Sequence, residues 1–332
     1  MSSRGFFLFA VLGLCACEQQ TGRPATPESR PEPVVVYASY ADENYLPSLF
    51  SAFTRATGIP VTVRHRAEQQ IVNEVIEKRG SPPADVLLTR SVHGVWQAAD
   101  EGALLPLQSE KIPDVVPDWL RDPDGYWTAT GFATIDVVCS ASSPDDCDLV
   151  ATFEDLGKPE FRSRLCLSAA SFAVNRTLIA RLIADHGVRP AEIIVRGWVA
   201  NLALPPFGSE QALLQAIEAG TCAVGVVSGL AFHQYGRPTV AAISPRPGLV
   251  DVEAAGIGRH ARSPDAAREL VEWLIDQEAQ AAIYATGGLR PVNPAVQADP
   301  FEFPASEGRR NVGITGAYEI DAIKLAERAA WR

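Results

Sequence analysis

Short runs of β-branched and apolar residues alternate with stretches that carry apolar residues at helical spacing, and this alternation restricts the fold more than any other feature. Val34-Val35-Val36-Tyr37 is a run of the kind that forms a strand buried on both faces. Leu46, Leu49, Phe50 and Phe53 then recur at helical spacing, and Thr57-Gly58 stops that helix before the strand Val61-Thr62-Val63. A second helix is predicted around Gln70 to Lys78, Gly80-Ser81-Pro82-Pro83 breaks the pattern, and Ala84 to Leu88 supplies a third strand. This β-α-β-α-β order predicts a parallel sheet with helices on its faces.

A second alternating set follows. Ala133 to Cys139 reads as a strand leaving the first half. Phe161 to Leu167 reads as a strand, Phe172 to His186, Ala191 to Leu202 and Ser209 to Ala219 as helices, and Cys222 to Val227 as a buried strand. Thr239 to Ile243 and Val250 to Ile257 read as return strands, Pro264 to Ala285 as amphipathic helices, and Gly316 to Arg332 as a last helix. The chain has 332 residues, 47% of them hydrophobic, which is enough for two cores. Two α/β halves joined by crossing strands imply a cleft, so the residues just after each strand are the ones to examine. A net charge of −11 lacks the positive field that polyanions need, which excludes nucleic acid as a partner.

The N-terminus reads as an address. Arg4 precedes an apolar run from Phe6 to Leu14, too short to cross about 30 Å of hydrocarbon as a helix, which is the form of a signal-peptide core. Leu14-Cys15-Ala16-Cys17 resembles the bacterial lipobox, which implies removal of residues 1–16 and acylation of Cys17. A plain cleaved signal, an uncleaved anchor and Cys15 as acceptor are the alternatives. Residues 17–33 are proline-rich, carry no large apolar residue and read as a tether. The folded part is therefore expected in the periplasm, held at the membrane of the cell envelope by lipid. Cys139 and Cys147 flank a turn-rich loop and are expected to be bridged in that oxidising space, whereas Cys166 and Cys222 suit either a bridge or two buried thiols. The absence of Cys-x-x-Cys or paired-His spacing gives no ground for a metal site of that kind, and no cofactor is expected.

Several segments, in order, resemble the extracellular solute-binding proteins of bacterial ABC importers, in the branch that includes the periplasmic ferric-ion-binding proteins. They are Val35-Val36-Tyr37-Ala38-Ser39-Tyr40; Phe50 and Phe53 followed by Thr57-Gly58-Ile59 and Val61; Pro83-Ala84-Asp85-Val86; Arg121 to Trp127; Glu218-Ala219-Gly220; and Arg290-Pro291-Val292-Asn293-Pro294. The resemblance implies a two-lobe periplasmic-binding-protein fold of type II, with a ligand cleft and crossover strands between the lobes. It implies a monomer that captures a small molecule or ion and delivers it to an ABC permease with a cytoplasmic ATPase, without catalysis. The expected N-terminal lobe comprises 34–133 and 255–310, the C-terminal lobe 134–254, and 311–332 a helix packed on the C-terminal lobe.

The chain departs from that family at the metal. The Tyr-Tyr pair that holds ferric iron falls on Leu230-Ala231, the family's His on Tyr40, and its acidic ligand near Thr89-Arg90-Ser91. A guanidinium in a carboxylate's place repels Fe³⁺, and the remaining phenols, Tyr40 with Tyr45 or Tyr235, do not match ligand positions. An anionic or chelated ligand is therefore expected, with ferric iron itself kept as a further candidate. Arg90 suits bidentate recognition of an oxyanion. Ser171, Phe172 and Ala173 open a helix whose N-terminus favours negative charge, and in the family the matching stretch contacts an anion. Ser39, Tyr40, Thr89, Ser91, Ser209, Ser228, Gly229, Leu230 and Phe232 complete the candidate ligand-binding set, with Trp127 as a further aromatic wall. A sensory or interaction lipoprotein on the same fold is the alternative function. An enzyme using Asp85, Asp136 or Glu210 is a more distant one.

Overall fold

The structure, a computed structural model, describes residues 1, 32–39, 45–77, 83–298 and 312–332. Expectations for the leader, the lipobox Cys17, the tether through residue 31 and Tyr40 fall outside the described residues. The first alternation appears as β1 (Val34–Ala38), α1 (Tyr45–Thr57), β2 (Val61–His65), α2 (Glu68–Ile76), β3 (Val86–Thr89) and α3 (Val92–Asp100). β4 (Leu104–Leu105) and α4 (Lys111–Val115) lead to the long strand β5 (Trp127–Ser140). Then come α5 (Asp145–Asp148), β6 (Leu165–Cys166), α6 (Ala173–His186), α7 (Val188–Ala200), α8 (Glu210–Glu218), β7 (Val224–Ser228), α9 (Gly229–Tyr235), β8 (Val240–Ile243) and β9 (Leu249–Gly258). The chain ends in α10 (Pro264–Leu274), α11 (Gln277–Gly287) and α12 (Gly313–Arg328).

The strands lie in the order β2-β1-β3-β9-β5-β7-β6, with β4 added on β9 and β8 on β5. β1 runs parallel to β2 and β3, and every residue of β1 is buried, as a strand covered on both faces requires. β5 and β9 are the crossing strands. From Trp127 to Ile135 β5 pairs with β9, and from there to Ser140 with β7 and β8. The other end of β9 pairs with β3. One core gathers β1, β3, Phe53, Trp127 and Leu270; another gathers Ile135, Leu178, Trp198 and Val224; a smaller one lies under Leu213 and Ile217 of α8.

Three elements differ from the sequence reading. β5 starts at Trp127 rather than Ala133, because Trp127, Thr128 and Ala129 already pair with Gly256, Ala255 and Ala254. The strand expected over 161–167 contracts to Leu165–Cys166, since Phe161 closes a 3₁₀ turn and Ser163 turns the chain at φ 56°. The helix at the C-terminus packs not on one half but on two, against α6 and also against α3. Gly316 permits the second contact: a Cβ there would lie 2.9 Å from the Cβ of Trp96. His93 Nδ1–H donates to the Gly316 carbonyl at 2.8 Å. Ala322, Leu325, Ala326 and Trp331 meanwhile enter the core beneath α6.

Cys139 is joined to Cys147, and Cys166 to Cys222. The second bridge ties β6 to the residue leading into β7 across a sequence separation of 56. Replacing Cys166 and Cys222 together by alanine is expected to lower unfolding stability by about 3 kcal/mol, through the larger conformational freedom of the unfolded chain. Urea titration under non-reducing conditions measures this, and an unchanged midpoint contradicts it.

Candidate functional site

Where β3 ends, the chain turns sharply into α3. The Thr89 hydroxyl donates to the Ser91 carbonyl at 2.7 Å, and the Arg90 N–H donates to Ser39 Oγ at 2.8 Å and to Glu68 Oε2 at 2.9 Å. The Ser91 hydroxyl donates to the other oxygen of Glu68 at 2.7 Å. A turn held at so many points fixes the Cα of Arg90, whose exposed side chain lines a cavity of about 240 Å³.

The facing wall comes from later elements. α6 begins at Phe172, and among the described residues no side chain caps it there. Phe172, Ala173 and Val174 line the cavity, so the amide end of a 14-residue helix borders it. Asn175 Nδ2 donates to the carbonyls of Ser168 and Ala169, which holds the loop entering the helix. In the first turn of α8, Glu210 accepts from Ser228 N–H at 2.5 Å and from Ser228 Oγ at 3.1 Å. Burial raises the pKa of Glu210, while the Ser228 bonds and then the charge of Arg90 oppose that rise. Ser228 also caps α9, its Oγ accepting from Ala231 N–H at 3.1 Å.

β9 contributes Asp251 and Glu253 at alternate positions, and both line the cavity. Asp251 accepts from the Thr177 hydroxyl at 3.2 Å. Its pKa is pushed up to about 7, first by burial and then by the charge of Glu319, with Arg176 and Thr177 acting against them and Glu68 adding to the rise. The site thus sets one guanidinium and a helix N-terminus against three carboxyl groups.

Of the residues expected from sequence, Arg90, Phe172, Ala173, Ser228 and Leu230 come together on this cavity. Ser39, Thr89 and Ser91 stand behind it and shape the Arg90 turn. Ser171 contributes its carbonyl to Arg176, and Ser209 caps α8 by accepting from Ala212 N–H. Gly229 and Phe232 line a second cavity of about 220 Å³, with Asp136, Ser244 and Arg290, because α9 turns them to the side opposite Ser228. Leu230 touches both cavities and packs on the core built around β1. Trp127 is not a cleft wall: it is buried in that same core. Asp85 is equally remote from the cavity, fully buried among backbone amides, so it offers no cleft carboxylate. The Tyr235 hydroxyl donates to Glu218 at 2.5 Å. Asp251, Glu253 and Gln234 were not in the expected set, and Glu210 stood there only as a carboxylate of the enzyme alternative. For Asp251 and Glu253 a signal existed: two charges spaced by two in an otherwise apolar strand point to one face.

Among the described residues, no group of three or more His, Cys, Asp or Glu side chains is placed to hold a metal ion, and no phenol lines the cavity. A family model described as bacterial extracellular solute-binding protein matches residues 81–313. The chain belongs to that family. Iron uptake protein A1 of Synechocystis is 27% identical over 337 residues, covering 94% of this chain and 88% of that protein. Iron uptake protein A2 of the same organism is 26% identical, covering 100% and 99%. A structure from Trichodesmium, solved in complex with iron and citrate ligands, superposes with a TM-score of 0.81 at 25% identity, covering 90% of this chain and 99% of that one. The ferric binding protein of Campylobacter jejuni shares the fold at a TM-score of 0.81 and 20% identity, covering 90% and 100%. This extracellular solute-binding protein therefore has the two-lobe α/β fold of periplasmic relatives that are transport proteins rather than enzymes.

Proposed function

We propose that this solute-binding protein captures a ferric ion already wrapped in a small organic carboxylate and hands it to an ABC permease with a cytoplasmic ATPase. The observation that carries this reading is the pairing of Arg90 and the α6 N-terminus on one cavity where the described residues supply no phenol. A bare ferric ion needs several anionic oxygens from the protein. A chelate brings its own and presents outward carboxylates, which suit a guanidinium and backbone amides, together with hydroxyls that can donate to Glu210. The relatives named for iron uptake, and the neighbour holding iron and citrate, favour the same cargo. Lobes 34–133 with 255–310 and 134–254 would close on it by bending β5 and β9. Acylation at Cys17 would keep a monomeric receptor near the permease.

Calorimetric titration with ferric citrate, citrate and ferric nitrilotriacetate tests this. Ferric citrate is expected to bind the wild type best, and Arg90→Glu to weaken it about 100-fold, since a favourable charge is lost and a like charge is set against the ligand. Binding that Arg90→Glu leaves intact overturns the role of Arg90, and tighter binding of citrate without iron overturns the chelate.

A further inference from the structure

The two walls of the cavity are joined behind it by a chain of polar contacts among residues that do not line it. It begins at the Arg90 turn, where the Ser91 hydroxyl donates to Glu68 at 2.7 Å and stands 3.5 Å from Glu319 Oε2. That hydroxyl has one proton for two carboxyl groups. Glu319, buried on α12, accepts from Arg176 Nε of α6 at 2.6 Å, and Arg176 Nη1 donates to the Ser171 carbonyl immediately before the α6 N-terminus. The path therefore runs from the residue next to Arg90, through the C-terminal helix, to the residue next to Phe172.

We propose that Glu319 is a positioning residue for the cargo cavity: from α12 it holds the Arg90 turn and the α6 N-terminus at a fixed spacing, so that both can engage one ligand. α12 is suited to this, since its first turns pack on α3 and its later turns in the core beneath α6. A residue bridging two walls differs from one stabilising a single helix, because its loss frees two distant segments together.

The charges around this link are unbalanced. Asp251 of β9 faces Glu319 of α12, Arg176 and Thr177 of α6, and Glu68 of α2, while Arg90, Glu210 and Glu253 share its cavity and His93 of α3 is turned to the Gly316 carbonyl. Burial does most to raise the pKa of Asp251, and the charge of Glu319 adds to that rise.

The proposal rests on the cargo reading for its affinity test and not for its first test, which is hydrogen exchange of the ligand-free protein. Glu319→Gln is expected to speed exchange both at Arg90–Ser91 and at Asn175–Arg176, whose N–H groups donate to the Phe172 carbonyl; unchanged rates at either segment overturn the bridge. The same variant is expected to move the pH midpoint of thermal stability downward, by removing the charge that opposes ionisation of Asp251. Glu319→Asp, which keeps the charge, should leave the midpoint near the wild-type value. The midpoint reads the charge coupling between Glu319 and Asp251, which an unmoved midpoint contradicts, while the exchange rates read the bridge. Ferric citrate should bind Glu319→Gln about tenfold more weakly, as the loss of a charged hydrogen bond implies, and affinity equal to the wild type contradicts it. If the wild type itself does not bind ferric citrate, the cargo reading fails, and the exchange test still decides the role of Glu319. Should Glu319→Gln not fold, Arg176→Lys breaks the contact to the Ser171 carbonyl while keeping the charge, and must speed exchange at the Asn175 amide.

Discussion

Asp85→Ala is expected to lower unfolding stability by about 4 kcal/mol, among the largest losses available to a single change in this protein. The side chain is fully buried and closes three segments around itself. Oδ2 accepts from Val35 N–H of β1 at 2.8 Å, and Oδ1 from the N–H groups of Arg262 and Ser263 at 2.6 and 3.3 Å, where the chain enters α10. Alanine strands all three donors away from water, and each buried donor without a partner costs about 1–3 kcal/mol, offset in part by no longer burying the carboxyl group. Asn keeps one good acceptor and should lose roughly half as much. Guanidinium titration reads the effect as a lowered midpoint at unchanged slope. A loss below about 1 kcal/mol for alanine would mean that Asp85 does not clamp these segments.

The second large effect depends on pH. Asp251 has its folded pKa raised from the ordinary 3.8 to about 7, so between those values the folded chain holds a proton that the unfolded chain has released. The stability this proton contributes is complete below about pH 4, declines as pH climbs toward 7 and is gone above it. A shift of that size corresponds to as much as about 4 kcal/mol. Asp251→Asn cannot ionise. Its stability should therefore match or trail the wild type in acid and exceed it at neutral pH and above, by an amount approaching that figure. Carboxyl groups with lowered pKa, such as Glu154 and Asp155, give the opposite trend, but they are common to both proteins and cancel in the difference. Thermal melting from pH 4 to 8 provides the comparison, and parallel curves for the two proteins would show that Asp251 is ionised throughout.

The first half of the fold was legible because its strands are continuous apolar runs. Val34 to Tyr37 and Val86 to Leu88 have few alternatives once both faces must be covered. Local pattern served less well where a residue's conformation depends on distant partners. Trp127 looked like the end of a loop, yet pairing with Gly256 makes it the start of β5. Gly229 reads from sequence as a ligand contact, yet it opens α9 behind the Ser228 cap, where a Cβ would collide with Thr134. At the site, Arg90 and Phe172 were found because each follows a strand, where sheets of this kind open to ligands. Glu68 and Glu319 could not be found in that way. They converge on the Ser91 hydroxyl from α2 and α12, and no spacing in the chain announces the meeting.

The placement of the bridges makes the two halves differ in their dependence on an oxidising compartment. All four cysteines of the folded region lie between Cys139 and Cys222, so the sheet built on β1, β2 and β3 assembles without any thiol chemistry. Made in a reducing compartment, the protein would lack both bridges, and the lost stability would fall on the segment from Cys139 to Cys222.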